Sequence, residues 1–263
     1  MPVPIYQVDA FTDKAFAGNP AGVCLLEKAL ADGLMQSVAM EMNLSETAFV
    51  WPEKEALRLR WFTPLAEVNL CGHATLATAK VLFETGRLKK TETARFDTRS
   101  GRLEARLKDD WIELDFPSQR VEPCPPPAKL LESLKAEPLF VGRNREDYLL
   151  EVVDEETVRG LRPDFALLRQ ATVRGVMVTS RSTAKNFDFV SRFFAPAVGI
   201  DEDPVTGSAH CALAPYWGGK LDKKEMVGFQ VSWRGGVVRV RLENDRVKLA
   251  GQAVIVFSGQ LDI

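Results

Sequence analysis

The chain has only two histidines, His73 and His210, and four cysteines, Cys24, Cys71, Cys124 and Cys211, with no CxxC pair among them. Without HxxxH or a cysteine cluster the sequence carries no zinc pattern, and no metal is expected. The scattered thiols point to reduced cytosolic cysteines rather than a disulfide frame. There is no surplus of positive charge: 34 Lys+Arg stand against 36 Asp+Glu, a net charge of −2. That balance disfavours a nucleic-acid partner and an anionic membrane surface alike. No apolar run approaches the ~18 residues a spanning helix needs. The stretch Met1–Asp9 lacks the basic and apolar regions of a secretory signal, so a cytoplasmic location is expected. GxGxxG, P-loop and pyridoxal signatures are absent, and no cofactor is expected. GxSxG is also missing, which disfavours a hydrolase nucleophile at Ser208.

What is present is an ordinary globular composition, 46% hydrophobic and 27% charged over 263 residues, enough for one large domain or two of middling size. The two halves resemble each other. Cys71-Gly72-His73-Ala74 lies over Thr206-Gly207-Ser208-Ala209, and Arg99 to Leu107 over Arg234 to Leu242. Upstream, Arg60-Trp61-Phe62-Thr63-Pro64 lies over Arg192-Phe193-Phe194-Ala195-Pro196. Three matches in one order, at a nearly constant offset of about half the chain, mark a duplicated domain. Five prolines between Pro117 and Pro127 mark the linker. The expected domains are therefore 1–117 and 118–263, with the last strand able to pack back on the first.

Each half shows the same order of elements. A first strand is expected over Ile5 to Phe11. Leu30, Leu34, Val38 and Met42 recur every four residues, as in an amphipathic helix. Strands follow at Ala48 to Trp51 and Leu57 to Trp61. A helix from Gly72 to Phe83 carries only Lys80 as a charge and ends at Gly86, so it should be buried on nearly all sides. A meander from Arg95 to Phe116 turns at Ser100-Gly101 and Asp109-Asp110. The second half has an uncharged helix from Ser208 to Trp217. Its meander, Val227 to Phe257, turns at Gly235-Gly236 and Asn244-Asp245. The expected class is α+β: two tandem pseudo-repeats, each a curled, mostly antiparallel sheet around a central buried helix.

A duplicated domain is expected to make its site at the seam. Gly72-His73-Ala74 and Gly207-Ser208-Ala209 each open a buried helix. Their free N–H groups either hold a small anion or simply end tight turns. His73 is either a proton carrier or a buried histidine bonded to a carbonyl. His210, inside its helix, reads as structural. Asp203 either orients a substrate group or caps its turn. Glu46 enters an apolar strand, where a carboxylate is costly unless paired or working; in an apolar cleft its pKa would rise toward neutrality, as suits general acid–base catalysis. The alternative is an exposed glutamate at a strand end.

These residues resemble the PhzF-like family of isomerases, within the diaminopimelate epimerase-like superfamily. The matching pieces are Asp9-Ala10-Phe11-Thr12, Gly18-Asn19-Pro20-Ala21, Asn43 to Phe49, Gly72-His73-Ala74-Thr75 and Asp203 to His210. The resemblance implies two similar domains with the site between them, a homodimer, and cofactor-independent movement of a proton between carbons of a small cyclic amino acid. It implies Glu46 as the proton-transferring carboxylate, with His73 and Asp203 as its catalytic companions. Asn19, Gly72, Ala74, Gly207, Ser208 and Ala209 are implied to enclose a small carboxylate substrate. The epimerase relatives use two cysteines. Here Cys71 is kept, but Thr206 stands at the second position, so a two-thiol mechanism is disfavoured and Cys71 reads as a small buried hydrophobe.

Overall fold

The computed structural model describes residues 2–171 and 174–263; Met1, where the first half was expected to begin, lies outside the described residues. The chain divides into two compact units, one of Met1–Phe116 with Lys248–Ile263 and one of Pro117–Val247.

The first unit runs β1 (Val3–Ala10), β2 (Asn19–Leu25), α1 (Asp32–Met42), β3 (Glu46–Glu53), β4 (Ala56–Phe62), β5 (Glu67–Val68), α2 (Gly72–Glu84), β6 (Thr93–Thr98), β7 (Gly101–Lys108) and β8 (Trp111–Pro117). Antiparallel pairs join β1 to β2, β3 to β4, and β6 to β7 to β8. Two pairs are parallel, β2 with β3 and β4 with β6. The hairpin turns use left-handed residues, Gly101 at φ 95° and Asp109 at φ 53°.

α2 is the axis of this unit. It touches β1, β2, β3 and β7, and every residue from His73 to Ala79 is buried. Its threonines satisfy their hydroxyls locally: Thr75 Oγ1 donates to Cys71 O at 2.5 Å and Thr78 Oγ1 to Ala74 O at 2.7 Å. That local bonding lets polar side chains sit in an apolar surround. Gly86, at φ 72°, lies just past the C-cap Thr85 and ends the helix as its glycine foretold.

The second unit runs β9 (Glu122–Pro123), α3 (Ala128–Leu134), β10 (Phe140–Arg143), β11 (Asp147–Glu151), α4 (Glu155–Gly160), α5 (Phe165–Leu168), β12 (Gly175–Arg181), β13 (Phe189–Ala195), β14 (Ile200–Asp203), α6 (Gly207–Leu221), β15 (Glu225–Gln230) and β16 (Gly236–Glu243). β17 (Arg246–Gly251) straddles the division between units, and β18 (Ala253–Leu261) falls in the first, where it pairs antiparallel with β1 from Val3↔Leu261 to Ala10↔Ala253. The parallel pairs recur in the same places, β11 with β12 and β13 with β15. Each unit thus repeats one plan, a mostly antiparallel sheet with two parallel joins and a buried helix.

The proline-rich segment forms an edge rather than a bare linker, since β9 pairs with β10 at Gly142↔Pro123. It also repairs a defect in α6. Pro215 has no N–H to give Cys211 O, and Gln119 N–H donates to that carbonyl instead, at 3.0 Å. No helix among the described residues is long and apolar enough to cross a membrane.

Candidate active site

The first unit gathers Asn19, Glu46 and His73 because of its chain directions. β2 and β3 are parallel, so their N-terminal residues, Asn19 and Glu46, lie at the same end of the sheet. The loop into Asn19 is tightly held. Buried Asp9 accepts from Phe16 N–H at 2.7 Å, and Phe11, Phe16 and Gly18 all have positive φ. A Cβ at Gly18 would lie 2.1 Å from Ala10 O, so only glycine fits there. α2 brings His73 on its second residue, after the N-cap Cys71.

His73 Nε2 stands 3.1 Å from Glu46 Oε2. Asn19 Nδ2 approaches His73 Nδ1 at 3.3 Å, and Ser45 Oγ donates to Asn19 Oδ1 at 3.4 Å. Cys71 Sγ lies 3.5 Å from Nδ1 and 3.9 Å from Nε2 of the same ring. Cys71 is buried, as its sequence context suggested, and it is also a neighbour of the imidazole. Glu46 Oε2 is buried yet has no aligned hydrogen-bond donor, so its contact with His73 is an ion pair that leaves a lone pair open. Burial of His73 works against its charged form, but the partners Cys71 and Glu46 outweigh it and hold the imidazole well above its usual range. Burial, with the Glu46 charge behind it, pushes the Cys71 thiol up to about 11. The thiol is thus protonated near neutrality, and the imidazole keeps its proton there as well.

Gly72, His73 and Ala74 form the first turn of α2, whose N-cap residue offers no side-chain cap. Ala74 is fully buried and Ala209 nearly so, which leaves their backbone rather than their methyl groups for any ligand. The second unit repeats the placement with other chemistry. Gly207, Ser208 and Ala209 form the first turn of α6, again with no side-chain cap. At the N-terminal ends of the parallel β11 and β12 stand Asp147 and, just before β12, Arg174. Arg174 forks onto Asp147, with Nε 2.8 Å from Oδ1, and its Nη2 reaches Ser208 Oγ at 3.2 Å. Where the first unit has a carboxylate and an imidazole, the second has an arginine–carboxylate pair and a hydroxyl. Asp203, at the end of β14, accepts from Thr206 Oγ1 at 2.5 Å, while Gln230 braces the turn through Asp203 O and Thr206 N. Arg174, Asp147 and Gln230 were not singled out in the sequence, where nothing in their spacing sets them apart from other charged and polar residues.

His210 is structural. It is fully buried, Nδ1 bonds Thr206 O at 2.9 Å, Nε2 has no partner among the described residues, and Phe189 lies against the ring. Burial, only partly opposed by the bond to Thr206 O, lowers its pKa to about 4. The unfolded chain takes up this proton near pH 6.5 and the folded chain only near 4. Stability is therefore lost as pH falls through that window, by at most about 3 kcal/mol. Urea midpoints at pH 7 and 4.5 should show a smaller acid-side loss for His210→Gln than for the wild type. Equal losses would remove His210 as a source of acid sensitivity.

The family described as phenazine biosynthesis-like protein matches residues 8–259. An uncharacterized isomerase of Halalkalibacterium halodurans is 52% identical over 262 residues, covering 99% of each chain. A second uncharacterized isomerase, from Pseudomonas aeruginosa, is 51% identical over 99% of each. The crystal structure of a PhzF-family phenazine biosynthesis protein from Enterococcus faecalis matches with a TM-score of 0.96 at 42% identity, over 100% of both chains. With the family matched along nearly its whole length and half of its residues shared with named isomerases, the chain belongs to the phenazine biosynthesis-like, PhzF-type family.

Proposed function

We propose that this isomerase moves a proton between carbons of a small cyclic or unsaturated amino or hydroxy acid, without a cofactor, using Glu46 as the shuttle. The observation that carries the reading is Glu46 Oε2, buried, lacking an aligned donor and 3.1 Å from His73 Nε2. A carboxylate so placed has a lone pair free for a substrate C–H proton; the electron pair stays on the substrate carbon until Glu46 returns a proton, and the imidazolium nearby steadies that negative charge. The Asn19 side chain lies against the other ring nitrogen, at 3.3 Å. The first turn of α2 suits a substrate carboxylate, since uncapped N–H groups and the helix dipole favour an anion. In the second unit, Asp203, Gly207, Ser208 and Ala209 keep the substrate role that the family resemblance implies, with Arg174, paired to Asp147, holding Ser208 Oγ.

The direct test is incubation in D₂O with pooled small cyclic and unsaturated amino and hydroxy acids, dihydrohydroxyanthranilate among them. Carbon-bound deuterium should appear in one compound. Binding of such a compound with no label exchanged over many hours would point instead to a catalytically idle binding protein. For the second unit, Asp203→Ala should lower the labelling rate about tenfold or more; an unchanged rate would detach Asp203 from the reaction.

A further inference from the structure

The proton chemistry uses Glu46 and His73 and leaves the Cys71 thiol without a task, although it touches both ring nitrogens of His73. Carboxylate, imidazole and thiol are also the three commonest protein donors to zinc, and here their donor atoms all lie within 4.8 Å of one another. Zn–S bonds of about 2.3 Å and Zn–N or Zn–O bonds of about 2.0–2.2 Å place tetrahedral ligands about 3.3–3.6 Å apart. The separations found, 3.1 Å between Glu46 Oε2 and His73 Nε2 and 3.9 Å between Cys71 Sγ and the same nitrogen, bracket that range. The third separation, between Cys71 Sγ and a Glu46 oxygen, is within 4.8 Å, so side-chain shifts of up to about 1 Å would close the set. The lone pair on Glu46 Oε2 that no aligned donor fills is one that a cation can take. The second unit has no counterpart, because Thr206 and Ser208 stand where the first has Cys71 and His73.

We propose that Glu46, Cys71 and His73 form a three-ligand site for a borderline-soft divalent cation, Zn²⁺ above all, one per chain, the cation displacing the Cys71 thiol proton and the His73 Nε2 proton to water. The fourth position stays open to water or to a substrate carboxylate, as at three-ligand zinc sites in general. Insofar as the isomerase reading holds, the bound cation occupies the shuttle and inhibits it: Glu46 coordinates instead of accepting a proton. The binding itself does not depend on that reading.

The test uses Co²⁺ as a spectroscopic stand-in and a chromophoric chelator to measure Zn²⁺ affinity, both on the metal-free full chain without substrate. One equivalent of Co²⁺ should give a thiolate-to-cobalt charge-transfer band. The band should persist in Cys124→Ser, which removes the one half-buried thiol, and vanish in Cys71→Ser. Zn²⁺ affinity should fall at least tenfold in both Cys71→Ser and Glu46→Gln, with circular dichroism showing that each variant is folded. Absence of the band in the wild type, or its survival in Cys71→Ser, would overturn the site. Because no turnover is read, this outcome is separate from the success or failure of deuterium labelling.

Discussion

Glu46→Gln is expected to lower the rate of carbon–deuterium exchange by about 10³-fold or more, toward the upper end of what a positioned acid–base group contributes. The amide keeps the shape of the side chain and its place at the start of β3, parallel to Ala21 of β2. It cannot accept a proton. Loss of the ion pair at His73 also removes a charge that helps keep the imidazole protonated, so the ring reverts to its neutral form rather than leaving a buried, unpaired cation. Stability should therefore change by no more than about 1 kcal/mol. Rates and urea midpoints measured on the same preparations separate the two effects. Exchange within tenfold of the wild type would take the shuttle role away from Glu46.

The largest stability loss is expected at Arg192 in β13. Its Nε and Nη2 fork onto Glu202 at 2.7 and 2.8 Å, its Nη1 donates to Leu161 O at 2.9 Å, and its guanidinium lies 4.8 Å over Phe194. Arg192→Met would keep the packing volume but strand a largely buried carboxylate and a carbonyl. The expected cost is about 3 kcal/mol, or about 6–12 °C in Tm. The repeat supplies a control. Arg60 in β4 makes the same fork, on Glu67, and lies 5.1 Å over Phe62. There, however, Arg99 also holds Glu67, at 2.7 Å, so Arg60→Met should cost only about 1 kcal/mol. Equal losses at the two positions would show that burial of the carboxylate, not its second partner, sets the cost.

That pair also shows why the repeat was legible. An Arg two residues before a Phe on a strand, facing a glutamate from the next hairpin, is a unit that leaves its mark in sequence. The buried helices were legible for a similar reason: α2 has a single charge between His73 and Phe83, and such a run is buried wherever it folds. Turns with Gly101, Asp109, Gly235 and Asn244 were readable because each adopts a positive φ that those residue types favour. The parallel joins of β2 with β3 and β11 with β12 were not, since alternation of side chains does not reveal strand direction. α3, α4 and α5 are seven residues or fewer, too short for a periodic signal. Arg174 and Asp147 are 27 residues apart and meet only through the parallel pairing, so no local pattern announces them. Glu46 and His73 were picked out one by one; their approach to 3.1 Å, and the thiol beside them, are products of the fold.

The pairing of β1 with β18 has a consequence for how the protein is made. Val3 finds its strand partner in Leu261, far later in the chain. The second unit, contained between residues 117 and 247, has all its strands in hand earlier. During synthesis the first unit is thus the one that must wait, for β1 has β2 on one edge early but gains β18 on the other only after the second unit has been made. A nascent chain stalled short of residue 253 would carry Glu46 and His73 on an unfinished sheet. The acid–base chemistry proposed for Glu46 would therefore wait on the arrival of β18.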